Sequence, residues 1–256
     1  MAMALDPTHD AARTSWVASA NSTSSDFPIQ NLPFAVFHRR GSDEAFRGSV
    51  AIGDRIVDLA ALDATDALSG LAAQAARACA QPALNDFVAL GPAAWRALRH
   101  ALFALLEGGA AEAQVATVRR TLVEQAEAEH DVPARIGDYT DFYTSFHHAD
   151  NIDRLFGTAD NVVPPNFHWI PIAYHGRSSS VVVSGHAVRR PIGQSRRPGQ
   201  EAPSFGPCAW LDYELELGAF VGPGNALGEP VLLGRAEEHL FGICLLNDWS
   251  ARDIQG

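Results

Sequence analysis

Leu211-Asp212-Tyr213-Glu214-Leu215-Glu216-Leu217 decides the fold class of this chain. Apolar and acidic residues alternate at nearly every step, which is the period of a β-strand, where successive side chains point to opposite faces. Leu211, Tyr213, Leu215 and Leu217 then share one face, and Asp212, Glu214 and Glu216 share the other. Glu214 and Glu216 stand about 7 Å apart along such a strand. Drawn to about 4 Å around a common point, two carboxylates repel by about 4 kcal/mol at an effective dielectric near 20. A divalent cation would offset that repulsion. Alternation alone equally allows a hydrated, solvent-facing acidic strand.

Downstream, Phe241-Gly242-Ile243-Cys244-Leu245-Leu246 is a nearly continuous apolar run, the pattern expected of a strand buried on both faces. It delivers Asn247-Asp248-Trp249-Ser250-Ala251-Arg252-Asp253-Ile254-Gln255 at its end. Asp248, with Asp141, Glu214 and Glu216, would complete a four-carboxylate site. An oxygen-only ligand set suits hard cations such as Ca²⁺ and Mg²⁺, and no His or Cys pair argues for zinc. If the segment turns helical, Arg252 and Gln255 fall on nearly the same side and can hold an anionic oxygen.

Upstream, the Asp138-Tyr139-Thr140-Asp141-Phe142-Tyr143-Thr144-Ser145-Phe146-His147-His148-Ala149-Asp150 segment concentrates carboxylates, tyrosines and histidines. Ionised groups in an apolar core need partners, so the cluster reads either as a site or as a polar surface loop. Residues 170–174 and 179–184 read as further strands. Residues 193–207 lack apolar alternation and read as a long loop, a kind of segment that is often functional.

Toward the N-terminus, residues 1–26 read as a flexible segment, with ordered structure beginning near Phe27. Residues 34–37 read as a strand, and residues 49–52 and 55–58 flank Gly53-Asp54, a two-residue hairpin turn. From 62 to 129 the composition is Ala-rich and helical. Pro92 suits a first helical position, Trp95, Leu98, Leu102 and Leu105 form one stripe, and Gly108-Gly109 can end that helix. Val115, Val118 and Leu122 form the stripe of a second helix. Asp131-Val132-Pro133 marks a domain boundary. The expected class is therefore mainly β with α (α+β), with domains 27–132 and 133–256.

The formal net charge of −11 over 256 residues disfavours nucleic-acid and anionic-membrane partners, which are held by clustered cations. All 19 basic residues are Arg, so the chain taken alone has no Lys-dependent chemistry. Cys79, Cys208 and Cys244 lack paired spacing and read as reduced thiols. With no signal-peptide pattern and no 18-residue apolar window, a cytoplasmic protein is expected.

Five strings together resemble the fumarylacetoacetase family. They are residues 26–33 (Asp-Phe-Pro-Ile-Gln-Asn-Leu-Pro), 137–143 (Gly-Asp-Tyr-Thr-Asp-Phe-Tyr), 174–179 (Tyr-His-Gly-Arg-Ser-Ser), 211–216 and 247–255. The resemblance implies a small Src-homology-like N-terminal barrel with helices, followed by a mixed β-roll catalytic domain. It implies a homodimer, bound Ca²⁺ with Mg²⁺ nearby, and hydrolysis of the dicarboxylate diketone 4-fumarylacetoacetate to fumarate and acetoacetate in tyrosine and phenylalanine catabolism. By position, Asp141, Glu214, Glu216 and Asp248 match metal ligands and His148 matches the general base. Tyr143 and Tyr174 match substrate-contacting tyrosines. Arg252 and Gln255 match groups near the reacting carbonyl and the leaving carbanion. An imidazole, with an ordinary pKa of about 6.5, is suited to taking a proton from water near neutral pH.

The chain departs from the family at Gly157, where an Arg for a substrate carboxylate is usual; Arg154 is the nearby substitute. Family members also continue beyond the position of Gly256, so the β-roll is expected to be incomplete here. The further part would carry a Lys, a Glu that orients the His, and the remaining strands. The 256-residue chain alone is accordingly expected to be inactive and, with open strand edges, prone to aggregate. Other readings are an isomerase or decarboxylase acting on a related dioic acid, or a non-catalytic metal-binding module.

Overall fold

The computed structural model describes residues 5–156, 163–196 and 198–255. They form two compact units, Met1–Ala134 with Val183–Gly256, and Arg135–Val182.

In the first unit, β1 (Phe34–Arg39), β2 (Arg47–Ile52) and β3 (Arg55–Asp58) form an antiparallel meander. The β2–β3 turn is the Gly53-Asp54 hairpin read from the sequence, with Gly53 at φ +56°. A Cβ at Gly53 would lie 2.6 Å from the Ala20 amide nitrogen. Both the left-handed backbone and this contact oppose any side chain, so Gly53→Ala should destabilise by about 1–3 kcal/mol. Urea unfolding would show it as a lowered midpoint at constant slope; an unchanged midpoint would contradict it.

Asp58 ends β3 and starts α1 (Leu59–Asp63), its carboxylate accepting from the Ala60 and Ala61 amides. The Arg47 Nε, 2.8 Å away, balances that nearly buried charge. Helices α2 (Gly70–Cys79), α3 (Asn85–Ala89), α4 (Pro92–Leu106) and α5 (Glu112–Arg119) follow. Pro92 stands at the start of α4, and Trp95, Leu98, Leu102 and Leu105 are buried as the stripe requires.

The helical reading fails after Arg119. Leu122 lies on β4 (Leu122–Glu124), where it pairs with Val57, and β5 (Ala128–Asp131) pairs with β1. Edge pairing to β3 and β1 satisfies backbone groups that an Ala-rich composition alone would assign to a helix. The sheet order is β4-β3-β2-β1-β5, and only the 3-10 turn Gln125–Glu127 joins its two outermost strands. A flat sheet would put those strands about 19 Å apart. Four residue steps reach at most about 14 Å. The sheet must therefore curl, which produces a mixed α+β architecture with a half-barrel sheet.

Residues 5–26 are not the flexible segment expected. They carry 3-10 turns at Pro7–His9 and Ala18–Asn21, and Val17 and Ala20 join the core. The last carbonyls of a helix lack helical partners. Here the Ser15 hydroxyl donates to the Leu106 carbonyl at 2.6 Å and the Trp16 indole to that of Leu105 at 2.8 Å, closing the end of α4.

The second unit contains β6 (Thr140–Phe142), α6 (Phe146–Phe156) and β7 (Ala173–His175), with β6 and β7 antiparallel. The strand expected at 170–174 starts later, at Ala173. The strand expected at 179–184 is absent. A 3-10 turn at Ser178–Ser180 stands at its start, where the Arg177 guanidinium donates to the Ser179 and Ser180 hydroxyls and holds the chain in a turn.

Back in the first unit, residues 193–207 are largely a hairpin and not the expected loop. β8 (Ile192–Ser195) pairs with β9 (Ser204–Pro207), with Gly193 opposite Gly206. β10 (Leu211–Val221) pairs over its whole length with β11 (Leu240–Ala251), and α7 (Arg252–Gln255) follows directly. Phe241 anchors β11 to the core, its ring 5.1 Å from that of Trp95 and 5.6 Å from that of Phe87. The rest of the apolar run is not buried on both faces. Ile243 is 66% exposed and Leu245 76%, because β10 and β11 form a two-stranded sheet whose Tyr213/Leu215/Leu217 face has no covering layer among the described residues. No described helix is long and apolar enough to cross a membrane.

Candidate metal centre

The acidic ladder read from the sequence lies on β10. Glu214 is paired directly with Asp248 of β11, and Glu216 with Leu246. Residues opposite each other share a face, and diagonal neighbours on that face are within reach. Glu216 and Asp248 are such a diagonal pair, with carboxylate oxygens within 4.8 Å of one another. At that separation the two charges repel by about 3–4 kcal/mol at an effective dielectric near 20. The chemistry of half-buried oxygen donors held this close fits a hard divalent cation.

Glu214 is placed differently. The side chain of Arg252, the first residue of α7, is only 7% exposed, and its Nη2 lies 2.7 Å from Glu214 Oε1 and 3.2 Å from Asp212 Oδ2. Burial works against the guanidinium charge, but hydrogen bonds to Glu214 and Asp212 outweigh it and hold the pKa above the ordinary arginine value. Arg252 Nη1 also donates to Gln255 Oε1 at 3.3 Å. The structure thus gathers Asp212, Glu214, Arg252 and Gln255 into one polar group beside the Glu216 and Asp248 pair.

Asp253 escaped the sequence reading. Its carboxylate accepts from the Cys208 thiol at 2.8 Å, the Ala209 amide at 2.8 Å and the Trp210 amide at 3.3 Å. The thiol first, and then the amides, hold its pKa below the ordinary aspartate value. A depressed carboxylate contributes stability that is present above the ordinary value of 3.8 and lost as pH falls through the lowered one. The melting temperature of Asp253→Asn should therefore lie below wild type by a gap that is widest above about pH 4 and closes in stronger acid. A gap independent of pH would contradict the assignment. The available signal is an acidic residue in the first turn of a short helix.

In the second unit, Asp141 on β6 stands opposite Tyr174 on β7, and the Tyr174 hydroxyl donates to Asp141 Oδ2 at 2.6 Å. The Tyr143 amide donates to the Ile172 carbonyl at 2.9 Å, extending the ladder by one bond. Its ring meets the His148 imidazole edge-on at 5.5 Å. The first turn of α6 is tied down by the His148 amide, which donates to Ser145 Oγ at 3.3 Å. Asp141 and Tyr174 form one pair, Tyr143 and His148 another. Arg154 is paired with Asp150 at 2.9 Å, one helical turn earlier. Gly157 lies outside the described residues.

Two family models match the chain. "Fumarylacetoacetase N-terminal" covers residues 30–133 and "Fumarylacetoacetate (FAA) hydrolase C-terminal" covers residues 139–256. Among curated relatives, the fumarylacetoacetase of Bos taurus is 48% identical over 236 residues, that of Homo sapiens 47% over 234 and that of Arabidopsis thaliana 45% over 233. Each alignment takes in 90% of this chain and 55% of the relative, so the chain spans about half the length of the relatives it matches. With both regions matched in order and the acidic strand pair in place, the chain belongs to the fumarylacetoacetase family.

Proposed function

We propose that this chain supplies the N-terminal region and the metal-holding strands of a hydrolase that cleaves 4-fumarylacetoacetate to fumarate and acetoacetate in tyrosine and phenylalanine catabolism. The observation that carries the reading is the acidic face of β10 and β11, with Glu216 and Asp248 oxygens within 4.8 Å, in a chain so similar to fumarylacetoacetases. Asp141, Glu214, Glu216 and Asp248 would hold a hard cation, Ca²⁺ with Mg²⁺ nearby. When bound, such a cation supplies Lewis-acid polarisation of the diketone oxygens.

The protein's own groups divide the remaining work. His148 takes a proton from water, whose oxygen attacks the carbonyl carbon; the carbon–carbon bond breaks, and its electron pair leaves with the acetoacetate portion, which is then protonated. Tyr143 packs against the His148 ring and limits its rotation, while Tyr174 both contacts substrate and orients Asp141. Arg252 and Gln255 donate hydrogen bonds where negative charge develops on oxygen. The same reading takes the curled sheet as the Src-homology-like barrel, residues 27–132 and 133–256 as the two domains, and the enzyme as a cytoplasmic homodimer.

The test is turnover of 4-fumarylacetoacetate by the natural full-length enzyme with and without EDTA. Hydrolysis that EDTA abolishes and added Ca²⁺ restores is expected. No hydrolysis, or hydrolysis indifferent to the chelator, would overturn the proposal.

A further inference from the structure

We propose that Asp253 is a positioning residue whose grip on the Cys208–Ala209–Trp210 turn sets α7, so that Arg252 and Gln255 meet the acidic face of β10. The inference rests on the reading of Arg252 and Gln255 as groups near the reacting carbonyl.

A four-residue helix has no stability of its own, because helices shorter than about 12 residues are marginal in water. α7 must therefore be held from outside. The Asp253 carboxylate takes three donors from one turn, and in return the Arg252 amide donates to the Trp210 carbonyl at 2.9 Å. That turn is itself fixed. The Cys208 amide donates to the Pro191 carbonyl at 2.8 Å, and Arg190 Nη1 donates to the Cys208 carbonyl at 2.9 Å. Next along α7, Ile254 covers Gly193 so closely that a Cβ there would lie 3.0 Å from Ile254 Cδ1. Arg252 thus leaves α7 from a backbone tied on both sides of it. A shift of the helix would draw its guanidinium away from Glu214 and Asp212. The Cys208 thiol, only 2% exposed, reports the state of the clasp, since it is shielded while Asp253 holds the turn.

The experiment uses the full-length enzyme in a Cys244→Ser background, which removes the exposed thiol of this chain, and reads labelling at the peptide that carries Cys208. In Asp253→Ala, Cys208 should react with a disulfide reagent at least about tenfold faster. A misplacement of about 1 Å costs on the order of 100-fold in rate, so kcat should fall by about that factor while KM and Ca²⁺ affinity stay within about threefold. Asp253→Asn, which retains one acceptor oxygen, should fall less and serves if the Ala variant does not fold. Cys208→Ala, which removes one donor of three, should stay near wild type. Faster labelling of Cys208 with kcat unchanged would overturn the inference, as would unchanged labelling and kcat together. If the unmodified enzyme shows no turnover, the proposed reaction fails, and the clasp is judged by the Arg252 Nε–H signal in NMR spectra. Loss of that signal's protection in Asp253→Ala supports the clasp; an unchanged signal overturns it.

Discussion

Asp248→Asn in the full-length enzyme should reduce turnover of 4-fumarylacetoacetate by about 10³-fold or more, because a Lewis acid supplies several kcal/mol and each 1.4 kcal/mol or so is tenfold. The same substitution should raise the melting temperature measured in EDTA. Glu216 and Asp248 keep carboxylate oxygens within 4.8 Å of each other, and without a cation their repulsion opposes folding. Activity and stability then move in opposite directions, as expected where a binding site is maintained against the stability of the fold. A hydrated acidic strand behaves otherwise: Asp248→Asn would change neither turnover nor the effect of EDTA on melting.

His148→Ala should lower kcat by about 10²–10⁴-fold, the range of general acid–base contributions, with metal binding retained. His148 sits in the first turn of α6, where its amide donates to Ser145 Oγ, and its imidazole meets the edge of the Tyr143 ring. Tyr143→Ala should therefore lower kcat as well, by less, through loss of orientation of His148. Steady-state kinetics alongside calcium titration separates the two roles. Turnover unchanged in His148→Ala would remove it from the mechanism.

The Trp95/Leu98/Leu102/Leu105 stripe marks α4 because pattern and burial there have the same cause, one face meeting its neighbours. Alternation along residues 211–217 marks β10 by its period alone, since its Tyr213, Leu215 and Leu217 face is exposed. Gly53-Asp54 marked a hairpin because only that turn chemistry fits two residues. What stayed hidden depends on partners remote in sequence. Ser15 and Trp16 order the N-terminal segment only because α4 offers them unpaired carbonyls. Gly193 and Gly206 face each other in a hairpin that has no alternation to announce it. Leu122 continues a helical stripe in sequence, yet pairing with Val57 places it in a strand.

The candidate site was legible as residue types and opaque as geometry. Glu214 and Glu216 on one strand face, with Asp141 and Asp248, promise a ligand set, but nothing in their spacing tells that Arg252 would take Glu214 together with Asp212. The Phe241–Leu246 run looked buried because its residues are apolar, whereas the two-stranded pairing leaves Ile243 and Leu245 exposed. The part played by Asp253 is not legible in the sequence because its three donors lie 43 to 45 residues upstream.

Calorimetric titration of Ca²⁺ into the protein, compared with Glu216→Gln, Asp248→Asn and Asp141→Asn, addresses the cation directly. One bound ion in the unmodified protein, absent in the first two variants and weakened in the third, is the expected result. No binding, or binding that all three variants share with the unmodified protein, would contradict a metal centre on this acidic face.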